Sequence, residues 1–302
     1  MDLNYFKKTR ILDGGMGQEL LSRGMDPEGT LWSAKALIEE KYHSLIKKIH
    51  EDFIKAGAEV IVTTTFTTRR IRLRENGIED KYEYLNKKAG ELALKVKEKY
   101  PNILIAGGLP PQFLTYEADT RPTEEIYNNY NEQAKILNPY VDFFYLDVLS
   151  SVNEIQTAIN AISQFNKPYL IGAHISEGNT LPSGEKITDI IKKIEHKKLL
   201  GLILACISPE NYELNMHEVK NLGIPFGFKL NGFLTTKPIF GYTESYKKSK
   251  SGNPNEFLGK RKDLTPEKIA EFAKKFKDAG ATILGGCCET GPSHIKELAK
   301  LK

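Results

Sequence analysis

Three cysteines are the residues of this chain best suited to chemistry. Cys287 and Cys288 are adjacent and follow two glycines in ILGGCCETGPSHI, and Cys206 closes an earlier apolar run, GLILAC. Three thiolates brought together suit zinc, which takes four tetrahedral ligands with sulfur at about 2.3 Å. A set of only three leaves one position for water or a substrate, which marks a catalytic metal site rather than a structural one. The competing reading is a plain packing role, since free cysteine often behaves as a small buried apolar residue. A disulfide framework fits poorly, because neighbouring cysteines rarely bridge and one thiol would be left over.

Other candidates stand near apolar runs. In LDGGMGQEL, residues 12–20, Asp13, Gly14 and Gly15 lead into a helix, and successive glycine amides there make a cradle for a carboxylate. The stretch is no dinucleotide fingerprint, because Leu20 stands where the third glycine belongs. Asp147 ends an apolar run and could receive an ammonium group, or serve as a cap. Trp32, the single tryptophan, could wall a cationic ligand through cation–π attraction or simply pack in the core. His174 also ends an apolar run and is placed to reach a pocket, but the six histidines show no metal-ligand spacing.

These residues need a frame. Eight apolar, mostly β-rich runs occur: 10–13, 59–66, 103–109, 142–147, 168–174, 201–206, 225–231 and 281–286. Most are apolar along their length, as in strands buried on both faces. Helical periodicity lies between them, as in Ile38, Tyr42, Leu45, Ile49 and Phe53. Glycines 57, 223 and 280 follow helical stretches, and Thr265-Pro266-Glu267 reads as a helix start. Strand–helix alternation implies a parallel sheet. Eight such units predict an α/β fold, a single-domain (β/α)8 barrel over residues 1–302, with an open doubly wound sheet as the alternative. In a barrel Cys206 ends the sixth strand and Cys287 and Cys288 the eighth, so all three share the rim where active sites sit. Two long connections, 110–123 and 232–264, follow strands and belong to the same rim. The second, polar with interspersed aromatics, reads equally as a lid or a solvated excursion.

Composition narrows the partners. The chain has 302 residues, 40% hydrophobic and 27% charged, with a net charge of +4 and no block of like charges, which gives nucleic-acid binding no support. No apolar run approaches the roughly 20 residues of a membrane span. The opening MDLNYFKKTR lacks a signal peptide's apolar segment, so a cytoplasmic, reducing location is expected.

The stretches LDGGMGQELLSRG, LWSAKALIEE, AGAEVIVTTTF, SGEKITDII, IPFGFKLNGF and DLTPEKIAEFAKKFKDAGATILGGCCETGPSHI resemble the zinc-dependent homocysteine S-methyltransferase family. That family includes betaine– and S-methylmethionine–homocysteine methyltransferases and the homocysteine-binding module of cobalamin-dependent methionine synthase. The resemblance runs from Ile11 to Leu298. It implies a TIM barrel, zinc held by Cys206, Cys287 and Cys288, and an amino-acid site at Asp13, Gly14 and Gly15. It also implies that Asp147 binds the acceptor's amino group, and that Trp32 lines the methyl-donor side. The implied reaction moves a methyl group from an onium donor to the thiolate of homocysteine, giving methionine.

Several residues depart from the family pattern. Asp147 replaces the usual glutamate, Ala205 an asparagine, and Thr64 interrupts a T-N-T block; all three belong to the acceptor side. Thr67 and Val148 stand where the betaine enzyme has donor-cage tyrosines, which favours a sulfonium donor over betaine. No D-x-H-x-x-G cobalamin signature occurs in the sequence. The alternatives are another thiol or selenol acceptor, or a homocysteine-binding subunit of a corrinoid system that depends on a partner. Small-molecule substrates are expected either way, and the oligomeric state stays open.

Overall fold

The computed structural model describes residues 1–237 and 255–302. Eight strands form: β1 Arg10–Ile11, β2 Val60–Val62, β3 Leu104–Leu109, β4 Phe143–Leu149, β5 Tyr169–Ala173, β6 Leu199–Ile207, β7 Phe226–Leu230 and β8 Ile283–Gly286. They make one parallel sheet in the order β1-β8-β7-β6-β5-β4-β3-β2. A parallel bridge between Leu12 and Val60 joins the two ends, with the Glu59 amide donating to Ile11 O at 2.8 Å. The sheet is therefore a (β/α)8 TIM barrel, and the open doubly wound alternative is excluded.

Alternation along each strand sorts the side chains into two layers. Leu12, Val60, Ala106, Phe143, Leu170 and Ile283 fill the barrel interior. Residues of opposite parity, such as Ile11, Ile61, Ile105, Phe144, Ile171 and Leu284, pack outward against the helices. The N-terminal end of the barrel is plugged by Phe6, from the 3₁₀ turn Tyr5–Lys7. Its ring meets Phe143 edge-on at 6.0 Å, and Thr282 Oγ1 donates to its carbonyl at 2.6 Å. Glycines end helices where the sequence places them: Gly57 and Gly280 take φ of +112° and +111°, a region that strains side-chain-bearing residues. The last long helix, Pro266–Asp278, begins with Thr265 accepting from the Lys268 amide and proline at its first position.

Two expectations change. The strand expected over 59–66 stops at Val62, because the Thr65 amide turns back onto Thr63 O at 2.8 Å and the Thr65 hydroxyl donates to Gly108 O at 2.6 Å. The apolar series from Ile38 to Phe53 is not one helix. Glu39 is extended (φ −96°, ψ 111°), and the long helix runs only from His43 to Lys55. No helix among the described residues is long and apolar enough to cross a membrane.

Candidate functional site

The C-terminal rim is built by two interruptions of strand alternation. In β6, Ile203 faces inward, so Ala205 should face inward and Cys206 outward. Register shifts between Ala205 and Ile207, and Cys206 adopts φ +55°. That bulge turns Cys206 inward beside Ala205, at a local cost of about 1 kcal/mol for a left-handed non-glycine residue. In β4 a register shift between Leu146 and Leu149 and φ +67° at Val148 do the same, so Asp147 and Val148 both line the pocket. Trp32 (φ +43°), Tyr116 (φ +68°) and Glu289 (φ +63°) are left-handed too, and all three stand at this rim or beside it. Strain gathered in one place marks a functional region.

The three sulfurs meet there. Cys206 Sγ lies 3.9 Å from Cys288 Sγ, Cys287 Sγ lies 4.0 Å from Cys288 Sγ, and all three fall within 4.8 Å of one another. The Tyr116 hydroxyl is 3.2 Å from Cys206 Sγ, and Asn231 Nδ2 reaches it at 3.7 Å. Burial pushes the Cys206 thiol up, but hydrogen bonds from the other two thiols, Tyr116 and Asn231 outweigh it and hold it well below the usual thiol range. The same coupling drives Cys287 and Cys288 upward. The three thiols therefore differ: the neighbours of Cys206 favour its ionisation, and Cys206 in turn opposes that of Cys287 and Cys288. The donor set is soft, convergent and largely buried, and it can hold a metal ion.

Below the cysteines, β1, β4 and β7 supply the polar floor. Asp13 Oδ2 accepts the Val62 amide at 2.8 Å, and Asp13 Oδ1 accepts Lys229 Nζ at 2.9 Å. This pair is buried, with 3% and 6% side-chain exposure. Lys229 lies across Gly285, where an added Cβ would come 3.1 Å from Lys229 Cγ, and its ammonium stands 5.7 Å from the centre of the Tyr145 ring. Burial pulls the ammonium's pKa down, but Asp13, Asp147 and Cys287 more than compensate. Asp147 is half-buried, and desolvation pushes its carboxyl up to about 7 against the opposing pull of Lys229. Gly15 donates its amide to Thr290 O at 2.9 Å, so of the two glycine amides expected to cradle a ligand only that of Gly14 lacks a protein acceptor among the described residues.

The walls are aromatic. Trp32 lies against Gly17, where an added Cβ would come 2.2 Å from the indole, and meets Phe66 edge-on at 6.3 Å. Its indole nitrogen, the Thr64 hydroxyl and both polar atoms of Gln18 are buried at the pocket without a hydrogen-bond partner. Buried orphans of this kind call for a polar ligand or water.

His174 does not reach the pocket. It is fully buried, its ring 4.5 Å from that of Tyr116, with Nδ1 3.0 Å from Ala205 O and Nε2 2.8 Å from Ser176 Oγ. A carbonyl only accepts, so Nδ1 carries the proton. Burial holds the ring neutral, with a pKa of about 4. His174 thus braces Tyr116 and the Cys206 bulge.

Lys229, Tyr116, Asn231 and Gln18 were not singled out from sequence. Only Lys229 left a signal there, as a lone charge inside the apolar run PFGFKL. The question of a lid over 232–264 falls mostly on residues outside the described ones. Of that connection, Phe233 and Leu258 pack into the cluster around Cys206.

Barrel and site together define a TIM-barrel protein with three convergent cysteines, able to hold a metal ion, at its C-terminal mouth. The family profile described as Homocysteine S-methyltransferase matches residues 10–301, and the chain belongs to that family of methyltransferases. The Homocysteine S-methyltransferase of Escherichia coli (strain K12) is 24% identical over 95% of this chain and 93% of that protein. Homocysteine S-methyltransferase 1 of Saccharomyces cerevisiae is 25% identical over 97% and 93%. The Selenocysteine methyltransferase of Astragalus bisulcatus is 23% identical over 97% and 92%. Among solved structures, the metallated form of the homocysteine methyltransferase MmuM from Escherichia coli superposes with a TM-score of 0.80 at 22% identity. The match covers 98% of this chain and 96% of that one, and it supports the fold.

Proposed function

We propose that the protein is a zinc-dependent S-methyltransferase that transfers a methyl group from an onium donor, a sulfonium rather than betaine, to the thiolate of homocysteine, giving methionine. The observation that carries this reading is the spacing of the three sulfurs. Tetrahedral zinc with bonds of about 2.3 Å separates its sulfur ligands by about 3.8 Å, against 3.9 and 4.0 Å for the two pairs here. Zinc, when bound by Cys206, Cys287 and Cys288, keeps a substrate thiol deprotonated at neutral pH.

The chain's own residues supply position. The Gly14 amide and the floor beneath it orient the acceptor's polar end, with Asp147 taking its ammonium. Trp32 and Phe66 offer aromatic faces to a cationic donor. A lone pair on the acceptor sulfur forms the new S–CH3 bond as the donor's C–S⁺ bond breaks, and the donor leaves as a neutral thioether with no redox change. Proximity and alignment are the main contribution expected of such a pocket. Sulfurs as close as these would oxidise readily, so a reducing cytoplasm is the compartment we assign.

A second reading keeps the site and changes the acceptor to another thiol or selenol. It is favoured by Asp147, by the unpartnered Thr64 hydroxyl and by the likeness to a selenocysteine methyltransferase. Purified protein should carry about one zinc per chain, and Cys288→Ala should lose most of it. A donor panel of S-methylmethionine, S-adenosylmethionine, dimethylsulfoniopropionate and betaine, run with homocysteine and then with selenocysteine, separates the readings. Wild-type protein that is metal-free when purified without chelator would sink both.

A further inference from the structure

The pocket floor contains a cation of its own, and this bears on which acceptor the site takes. Lys229 is buried, lines the pocket, and has three N–H donors. Asp13 Oδ1 is its sole hydrogen-bond acceptor among the described residues. Each Asp13 oxygen already accepts one bond, from that ammonium and from the Val62 amide, and its charge is paired with Lys229, which makes it a weaker partner for a ligand's ammonium. Asp147 is the remaining carboxylate on the floor, and no ion pair engages it among the described residues. It keeps more exposure to the pocket than Asp13 does.

We propose that Lys229 is the residue that reads the acceptor, by holding its anionic end, so that the site selects thiols carrying a carboxylate and depends much less on an amino group. The inference rests on the thiol-acceptor reading above. Its physical basis is an asymmetry of burial. An acceptor without a carboxylate leaves N–H donors of a buried ammonium unmet, and an unmet buried charge costs more than an unmade contact at a wetter site. An acceptor without an amino group leaves only Asp147 unpaired, at the side of the pocket where water can serve it.

The test is equilibrium binding to the zinc-loaded chain by titration calorimetry, with homocysteine, 4-mercaptobutanoate, which lacks the amino group, and 3-aminopropane-1-thiol, which lacks the carboxylate. Loss of the carboxylate should weaken binding by about a hundredfold or more, and loss of the amino group by about tenfold or less. In Lys229→Met the gap between homocysteine and 3-aminopropane-1-thiol should shrink to within about fivefold, while Lys229→Arg should keep it. General damage to the pocket would weaken all three ligands together and leave the gap intact, so the ratio isolates the role of the charge.

Equal affinity of wild type for homocysteine and 3-aminopropane-1-thiol would overturn the proposal, as would an undiminished gap in Lys229→Met. Either result leaves methyl transfer untouched if methionine still forms. The expected ranking with no methylated product from any donor would uphold the role of Lys229 and refute the methyltransferase reading instead.

Discussion

At the scale of single residues, Cys206 differs from its two partners. Neighbours that donate to it hold its thiol well below the usual range, whereas the same contacts push Cys287 and Cys288 upward. Metal uptake by the metal-free protein at pH 7 should therefore release about two protons per ion, and affinity should rise with pH. Calorimetry in two buffers of different ionisation enthalpy measures that number. A release near three would mean that Cys206 is protonated in the free site. Tyr116→Phe removes the hydroxyl 3.2 Å from Cys206 Sγ. In metal-free protein it should shift the pH midpoint of Cys206 alkylation upward, by roughly half a unit to one unit for one lost hydrogen bond to a charged sulfur.

At the scale of elements, β4 and the helix after it hold a second strained group. Glu154, in the helix Val152–Ile162, is fully buried and accepts from the Tyr130 hydroxyl at 2.8 Å and the Ser150 amide at 3.1 Å. Burial pushes its carboxyl up to about 7, and those two hydrogen bonds only partly offset this. The folded protein thus holds a proton there that the unfolded chain releases near its ordinary value of 4.5. Stability falls as pH rises from about 4.5 to about 7, by up to roughly 3 kcal/mol, and stays reduced above that range. Glu154→Gln keeps both hydrogen bonds, because an amide can donate to Tyr130 and accept from Ser150. Its melting temperature should exceed that of wild type at pH 8 and match it near pH 5, as read by thermal denaturation at the two pH values. The sequence exposed the strands themselves, because parallel strands covered on both faces must be apolar throughout. It did not expose the direction in which their last residues point. Alternation sends Cys206 and Val148 outward, and only the bulges, which carry no glycine to announce them, turn them in. Lys229 was visible as a misplaced charge, but its partner Asp13 lies 216 residues away and no local pattern links them.

At the scale of the whole molecule, the barrel has a sealed end and a working end. The sealed end depends on Phe6, which the strand count did not include because it belongs to a 3₁₀ turn before β1. Phe6→Ala should lower stability by about 3–5 kcal/mol through the cavity it leaves, read in chemical denaturation. The rate per folded molecule should be unchanged, since the cysteines lie at the opposite end. A sealed base also makes the pocket a blind alley. Cys206, Cys288 and Lys229 are buried, while Cys287, Trp32 and Phe66 keep partial exposure to the pocket. With the base sealed, whatever binds at the cysteines enters and leaves through the one pocket that Trp32 and Phe66 also line. Traffic through one doorway is sequential, so the acceptor should bind before the donor and the methylated acceptor should depart last. Saturating donor should then slow turnover by parking in the doorway of an empty site, a behaviour that initial-rate measurements at high donor and low acceptor would register.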